Sequence, residues 1–136
     1  MRATEISAGV SAIIPTYNRR ELVQRAIDSV LAQTQPVDEI LIVDDGSTDG
    51  TGEALKARYG DRIRYHWQPN AGVSAARNTG MSIATGRYFA LLDSDDLWRP
   101  EKTARQVEWL DAHPDFGLVL CDVVRVDDAG QPYDVF

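Results

Sequence analysis

Short apolar runs alternate with longer amphipathic segments along most of the chain. The runs have the length and the branched or aromatic content of strands. Between them, apolar residues recur every three or four positions, as they do on helices that cover a sheet. The pattern predicts strands at residues 10–15, 39–43, 63–67 and 87–92. It predicts helices at 21–33, 73–84 and 100–112, and a further helix between the second and third strands that ends at about residue 59.

The order of these elements predicts an α/β fold. Strands that are apolar on both faces, separated by helices, favour a mostly parallel sheet with helices on both faces. If the first strand is central, the second and fourth flank it, and ligands bind at the carboxyl ends of these strands. We also expect Ser47 or Thr48 to cap the second helix, residues 117–126 to be rich in β-structure, and residues 127–130 to form a hairpin turn.

Polar residues follow each of the three strands that should meet. The first strand ends in Pro15-Thr16-Tyr17-Asn18, the second in Asp44-Asp45-Gly46-Ser47 and the fourth in Asp93-Ser94-Asp95-Asp96. With neighbouring strands ~4.8 Å apart, the two outer ends lie about 10 Å apart. That distance suits a nucleotide, with its base at one acidic pair and its diphosphate at the other.

The acids after the fourth strand have two explanations. Carboxylates so close together repel one another unless a divalent cation neutralises them, and oxygen ligands favour Mg²⁺ or Mn²⁺. Such a cation would bridge the protein to a diphosphate. Alternatively, Ser94, Asp95 or Asp96 caps the helix near Pro100 and the other acids are solvated. One cap accounts for one carboxylate only, so we prefer the metal.

The other candidate residues also have structural alternatives. Asp44 and Asp45 could accept a hydrogen bond from the imide N–H of a uracil-type base, or belong to an ordinary turn. Tyr17 could stack on that base or pack at the strand end. Arg77 lies in a segment of small residues that would let a helix pack closely or let a ligand approach the backbone. It could contact a pyrophosphate or a base, or pair with an acid.

Composition and charge narrow the classes of function. The chain has 136 residues, enough for one domain of residues 1–136 with its own core, and a net charge of −7 with scattered arginines. Binding to nucleic acid is therefore not expected. Cys121 is the one cysteine and lies in an apolar run, so we expect a small buried hydrophobe and a reducing compartment. No apolar run approaches the ~20 residues of a membrane span.

Four segments together resemble the family 2 glycosyltransferases in order and spacing. They read VSAIIPTYNRRELVQRAIDSVLAQT, EILIVDDGSTDGT, NAGVSAARNTGMSIATGRYFALLDSDDLW and PEKTARQVEWL. Each motif alone is weak, but all four in order are specific, and the resemblance covers about residues 9–127. It implies a Rossmann-like GT-A fold, a nucleotide-sugar donor (a UDP-sugar is favoured), a saccharide or other hydroxyl acceptor, Mn²⁺ or Mg²⁺, and transfer with inversion. Because many members build surface polysaccharides, kinship also implies polysaccharide biosynthesis.

The resemblance also implies roles for residues at matching positions. Asp93-Ser94-Asp95 fills the family's DXD motif, Tyr17 lines the nucleoside pocket, and Asp45 meets the base. The implied nucleotide-binding residues are Pro15, Thr16, Tyr17, Asp44, Asp45, Arg77, Asp93 and Asp95, and the implied metal ligands are Asp95 and Asp96.

The chain departs from the family in its length. Members usually continue well past this point with an acceptor half that supplies the catalytic base. We therefore expect a truncated chain that holds the donor half, has an unknown catalytic base, and self-associates through surface meant for the missing half. The expected location is cytoplasmic, with attachment to the inner face of the membrane as an alternative for the full-length protein.

Three other classes of protein remain open. A non-catalytic nucleotide-binding module would bind the donor without turnover. A phosphoacceptor receiver domain also has an acidic pair after a strand, but there the pair follows the first strand. A nucleotidyltransferase would need a basic, glycine-rich loop near the first strand, and the sequence from Pro15 to Arg20 is a poor match.

Overall fold

The computed structural model describes residues 7–135, which form two compact units, one that ends at Ala104 and one that begins at Arg105. The first unit holds a four-stranded parallel sheet with helices, and the second holds a two-stranded antiparallel hairpin. The elements in chain order are β1 (Ser7–Thr16), α1 (Arg20–Leu31), β2 (Glu39–Asp44), α2 (Thr51–Tyr59) with a short 3₁₀ turn (Gly60–Arg62), β3 (Arg64–Trp67), α3 (Val73–Ile83), β4 (Gly86–Leu91), α4 (Lys102–Ala112), β5 (Val124–Val126) and β6 (Pro132–Val135).

The strand order of the sheet is β3-β2-β1-β4, and every pairing is parallel. The prediction that the first strand lies between the second and the fourth is therefore confirmed. In the register, Thr16 lies opposite Asp44 and Ile13 lies opposite Leu91. The carboxyl ends of β2, β1 and β4 consequently meet at one edge of the sheet, which is where α/β proteins bind their ligands.

Helices cover both faces of this sheet. On one face, Ile14, Ile40 and Ile42 pack with buried residues of α1 and α2 such as Ile27 and Leu55. The other face carries a smaller core formed by Ile13, Leu41, Val43 and Ala76 of α3. Burying these side chains is the main stabilising contribution to the fold.

Helix α3 lies unusually close to the sheet because its inner face is made of small residues. A Cβ atom at Gly80 would lie 2.4 Å from Cγ2 of Ile13, a distance at which one of the two must move. Ala76, one turn earlier, is fully buried against β1 and β2. This close contact confirms the prediction that small residues let the helix approach.

Strand β4 differs from its prediction as a strand buried on both faces. Phe89 is 46% exposed and Leu91 is 45% exposed, while Leu92, just after the strand, is buried. The physical reason is position: β4 ends the sheet order, and α3, which lies on the face of Phe89 and Leu91, packs on β1 and β2. Alternate residues are therefore solvated, as on other sheet edges.

The second unit corrects two further expectations. Only Val124–Val126 of the segment 117–126 forms a strand, and Cys121 is exposed instead of buried. Leu118 and Leu120, at 69% and 80% exposed, show that this apolar run meets no core among the described residues. The predicted hairpin turn is present, because the N–H of Asp127 donates to the carbonyl of Gln131 across it.

Aromatic contacts organise the helix end in the second unit. The rings of Trp109 and His113 stack with centroids 4.3 Å apart, and Phe116 meets Trp109 edge-on.

None of the helices in the described part of the chain is both long and apolar enough to span a membrane.

Candidate nucleotide-sugar site

A cavity of about 420 Å³ opens at the carboxyl ends of β2, β1 and β4. It contains seven of the residues that the sequence predicts for the site, whereas Asp44 and Asp96 are not in its wall. The lining residues are Pro15, Thr16, Tyr17, Arg19, Asp45, Asn70, Gly72, Val73, Ala76, Arg77, Asp93, Ser94 and Asp95.

Asn18 ties the turn after β1 to the turn after β2. Its N–H donates to Oγ of Ser47 at 2.8 Å, and its Oδ1 accepts the N–H of Thr48 at 2.8 Å. Asn18 has a φ of +49°, a left-handed conformation that asparagine tolerates better than most residues. The two links hold Tyr17 and Arg19 on either side of it in fixed backbone positions.

These links correct the predicted cap of the second helix. Ser47 and Thr48 bond to Asn18, and α2 begins only at Thr51. The acceptor for the N–H of Thr51 is Oδ1 of Asp49, at 3.1 Å. Ser47 thus serves the neighbouring turn with its side chain and Thr48 with its backbone N–H, and both bonds join the two loops.

Asp45 organises the loop that leads into α3. Its Oδ1 accepts bonds from Nε2 of Gln68 at 2.7 Å and from the N–H of Ala71 at 2.9 Å, and its Oδ2 accepts the N–H of Gly72 at 2.8 Å. Burial would raise the pKa of Asp45, but these hydrogen bonds outweigh it and lower the pKa below its ordinary value. Asp45 is therefore a buried, charged carboxylate at the cavity wall.

A glycine is required at position 46, next to Asp45, for two reasons. Its φ of +92° lies in the region that favours glycine, and an added Cβ would lie 2.9 Å from the backbone nitrogen of Asn70. The turn after β2 and the loop before α3 thus pack backbone against backbone.

Asp44 lies beneath the cavity. It is fully buried, its Oδ1 accepts the N–H of Ser47 at 2.8 Å, and its Oδ2 accepts the hydroxyl of Tyr65 at 2.5 Å. Both oxygens accept bonds inside the protein, so Asp44 holds the turn below Asp45, and a contact between Asp44 and a ligand stays a prediction. Burial and the bond to Asp44 raise the pKa of the Tyr65 hydroxyl, which keeps it a donor.

The carboxylates after β4 are paired with arginines from other elements. Nη2 of Arg77 lies 2.5 Å from Oδ1 of Asp93, and Nη1 of Arg19 lies 2.7 Å from Oδ2 of Asp95. The alternative of an ion pair for Arg77 is thus present, yet Arg77 also lines the cavity. Both pairs are partly exposed and hence accessible to a bound anion or cation.

The third acid, Asp96, is exposed and lies outside the cavity wall. Its N–H donates to the carbonyl of Asp93, which closes the turn. Partial desolvation of the carboxyl by nearby protein atoms, and then the charges of Asp95 and Asp93, raise the pKa of Asp96. The cap of α4 comes from elsewhere, because the N–H and hydroxyl of Thr103 both donate to Oε1 of Gln33 at 3.0 Å.

The side chains at the other end of the cavity suit a base. Tyr17 is 48% exposed in the cavity wall, so it is available for stacking. Thr16 is only 3% exposed. Among the described residues, its hydroxyl is the buried side-chain polar atom that has no hydrogen-bond partner.

The acids fit a divalent cation only in a limited way. No group of three or more acidic, histidine or cysteine side chains converges on one point in the described part of the chain. Asp95, however, places a carboxylate in the cavity and already holds a positive charge against it. Mg²⁺ commonly uses one or two carboxylates together with substrate phosphates, and Asp95 meets that requirement.

Sequence reasoning missed Arg19. The signal was present, since Arg19 follows the Thr16-Tyr17-Asn18 segment and precedes a helix at a strand end where anions bind. Its partner Asp95 lies far away in sequence, and only the parallel pairing of β1 with β4 brings the two together.

Comparison with known proteins adds the family. The model of glycosyl transferase family 2 matches residues 11–134. An uncharacterized glycosyltransferase of Rickettsia felis is 48% identical over 103 residues, which are 75% of this chain and 17% of that protein. The chain thus spans far less than two thirds of the length of such relatives.

Solved structures agree in fold. The mannosyltransferase PcManGT from Pyrobaculum calidifontis, in complex with GDP-Man and Mn²⁺, is similar with a TM-score of 0.73 and 33% identity, covering 90% of this chain and 38% of that one. TarS 1-349 from S. aureus, in complex with UDP-GlcNAc, has a TM-score of 0.70 and 27% identity, covering 77% of this chain and 32% of that one. The fold, the four motifs and the family model agree, and the chain belongs to glycosyl transferase family 2.

Proposed function

We propose that this chain binds the nucleoside diphosphate of a sugar donor in the 420 Å³ cavity and forms the donor-binding part of an inverting glycosyltransferase. The observation that carries the proposal is the cavity at the ends of three parallel strands, whose wall combines the exposed ring of Tyr17 with the guanidinium groups of Arg19 and Arg77. A nucleoside diphosphate has a flat base and a negative charge to match them.

Asp45 and Tyr17 support a uracil-type base. A carboxylate offers about four lone pairs, and three of those on Asp45 are used by Gln68, Ala71 and Gly72. The remaining one can accept the single imide N–H of uracil. Stacking on Tyr17 adds roughly 0.5–1.5 kcal/mol. These features favour a UDP-sugar.

The second end of the cavity suits the diphosphate. Arg77 and Arg19 can donate charge-assisted hydrogen bonds to phosphate oxygens. Asp95 is the residue placed to hold Mn²⁺ or Mg²⁺, which when bound supplies positive charge to the departing phosphate. Asp93 positions Arg77 through their ion pair, and Asp96 stays a candidate metal ligand of the same turn.

Transfer follows from the donor held in this way. The acceptor hydroxyl attacks the anomeric carbon opposite the nucleotide, the new C–O bond forms as the bond to the diphosphate breaks, and the hydroxyl proton passes to a general base. No residue of this chain is assigned as that base. PcManGT with GDP-Man and Mn²⁺, and TarS with UDP-GlcNAc, support a nucleotide-sugar donor and a divalent cation.

Calorimetric titration tests the proposal. We expect UDP with Mn²⁺ to bind more tightly than GDP, and Tyr17→Ala to weaken UDP roughly two- to tenfold by removing the ring that would stack on the base. Tyr133→Ala is the matched control, because Tyr133 is an exposed tyrosine outside the cavity wall. A folded sample that binds neither UDP, GDP nor dTDP with Mn²⁺ would refute the proposal.

A second candidate is a nucleotide-binding module without turnover. The observation in its favour is that the chain spans 17% of the Rickettsia felis relative and 38% of PcManGT. Donor hydrolysis and transfer by this chain, compared with those of a longer chain at equal UDP affinity, distinguish the two. Equal turnover would exclude the module.

A further inference from the structure

Arg19 stands out from the other residues of the cavity. It is the N-cap residue of α1, with φ −133° and ψ 45°, and its backbone is held by the bonds of Asn18 to Ser47 and Thr48. Its side chain is different: it is 45% exposed, and its ion pair among the described residues is the one with Asp95. A fixed backbone therefore carries a guanidinium that can change partner.

The surroundings give this guanidinium room to move. Arg19 borders the 420 Å³ cavity and also a second hollow of about 300 Å³ on the side of α1. Arg77 differs, because it lies on α3, which is packed tightly on the sheet through Gly80, and its side chain is only 31% exposed. Of the two arginines paired with acids here, Arg19 is the one that can leave its acid at little cost.

A divalent cation bound to Asp95 would lie close to the guanidinium of Arg19. Nη1 of Arg19 lies 2.7 Å from Oδ2, and Mg²⁺ binds carboxylate oxygens at about 2.0–2.1 Å. Even on the other oxygen of Asp95, the cation would share one negative charge with the guanidinium, and the two positive charges would repel each other. A nucleoside diphosphate next to Asp95 would meanwhile offer the guanidinium new oxygen acceptors with the same fork geometry.

We propose that Arg19 is an exchangeable counter-ion: it neutralises Asp95 while the cavity is empty, and moves to the diphosphate of the donor when a divalent cation binds Asp95. This inference rests on the proposed function and gives one residue of that site, Arg19, a more specific role. Whichever ligand binds first breaks the ion pair, and the second ligand then binds without that cost. The cation and the diphosphate therefore promote each other's binding beyond their direct contact.

Two opposite effects of one substitution follow. Arg19→Gln removes the competitor on Asp95, so Mn²⁺ alone should bind about two- to fivefold more tightly, the range expected for a partly exposed ion pair. The same change removes a phosphate donor, so UDP should bind roughly tenfold more weakly, with or without Mn²⁺. A residue with only a structural role would not move the two affinities in opposite directions.

The experiment measures Mn²⁺ alone by the electron paramagnetic resonance signal of the free ion, and UDP with and without Mn²⁺ by calorimetry. Arg20→Gln is the matched control, because it removes the same charge at the next residue. The side chain of Arg20 pairs with exposed Glu21 and not with Asp95. Arg19→Lys keeps the charge without the fork, and we expect it to fall between the wild type and Arg19→Gln. Circular dichroism confirms that each variant is folded.

The results separate the two proposals. If Arg19→Gln binds Mn²⁺ no more tightly than Arg20→Gln does, the counter-ion is refuted, even when the wild type binds UDP normally. If the wild type binds no UDP, the proposed function fails, and the Mn²⁺ titration still decides whether Arg19 competes for Asp95. Tighter Mn²⁺ binding together with weaker UDP binding in Arg19→Gln alone supports the exchange.

Discussion

The two acidic turns of the cavity look alike in sequence and differ in their surroundings. After β2, Asp44 and Asp45 are buried and accept five hydrogen bonds from backbone and side-chain donors of the protein. After β4, Asp93 and Asp95 are each about 45% exposed on the side chain and are paired with arginines. The first turn is built into the protein, and the second is balanced by charges that can be replaced.

The difference assigns separate tasks to the two turns. A carboxylate with several fixed donors keeps its position whether or not a ligand is bound, so the turn after β2 shapes the base end of the cavity. A partly exposed ion pair contributes only ~0.2–1 kcal/mol, so a ligand can rearrange it readily. The turn after β4 is therefore suited to accept a cation and a diphosphate.

Asp45→Ala should show the largest effect on stability. It leaves the N–H groups of Ala71 and Gly72 and the amide of Gln68 without their acceptor, which costs roughly 2–4 kcal/mol of unfolding free energy. Urea denaturation measures it, and UDP affinity should be lost as well. Asp61→Ala, at an exposed residue of the 3₁₀ turn, is the control and should change the unfolding free energy by less than about 0.5 kcal/mol. Equal losses in both variants would contradict the role of Asp45.

Gly46→Ala should follow with a loss of roughly 1–3 kcal/mol. A methyl group at φ +92° is strained and would lie 2.9 Å from the nitrogen of Asn70, so the loop before α3 must move. Gly130→Ala is a useful comparison, because it has a positive φ of 79° but nothing within 4 Å of the added carbon. Thermal unfolding of the two variants separates the cost of strain from the cost of contact.

The pH dependence of stability should have opposite signs in the two turns. The pKa of Asp45 is lowered from 3.8, so its contribution is present above pH 3.8 and is lost as the pH falls through the lower pKa of the folded state. The pKa of Asp96 is raised from 3.8, so its ionisation opposes folding at neutral pH, and that cost disappears as the pH falls. Urea midpoints from pH 7 to pH 3 should show a flatter acid loss for Asp45→Asn than for the wild type.

Asp96→Asn should show the smallest effect and in the other direction. It removes a charge that Asp95 and Asp93 repel, and after solvent screening we expect a gain of under about 0.5 kcal/mol at pH 7. The same substitution at Asp95 should leave stability within about 1 kcal/mol of the wild type but abolish the effect of Mn²⁺ on UDP binding. Any large loss of stability in Asp95→Asn would erase the contrast between the turns.

The parts of the fold that follow from local pattern were predictable from the sequence. Apolar runs indicate the strands, and parallel pairing then places Tyr17, Asp45 and Asp95 at one edge. What could not be predicted depends on which polar group meets which. Nothing local distinguishes the buried Asp44 from the cavity-lining Asp45, because the hydroxyl of Tyr65 that takes up Asp44 comes from another strand.

The incorrect expectations have the same cause. Ser47 and Thr48 are good capping residues, but the turn at Asn18 competes for them. The segment 117–126 has strand-like composition, yet strand formation also needs a partner, and in the described part of the chain only Val124–Val126 pairs, with β6. Cys121 is exposed for the same reason, as burial requires a covering element that composition does not reveal.

Because Gly80 has no side chain, it sets the distance between α3 and the sheet. Arg77 and Ala76 lie about one turn before it, so their distance from β1 depends on how closely Ile13 packs against the backbone of Gly80. A methyl group at Gly80 would push α3 away from the sheet, together with the cavity residues that this helix carries. Gly80→Ala is therefore a way to widen the cavity for a bulkier donor without changing any residue of its wall.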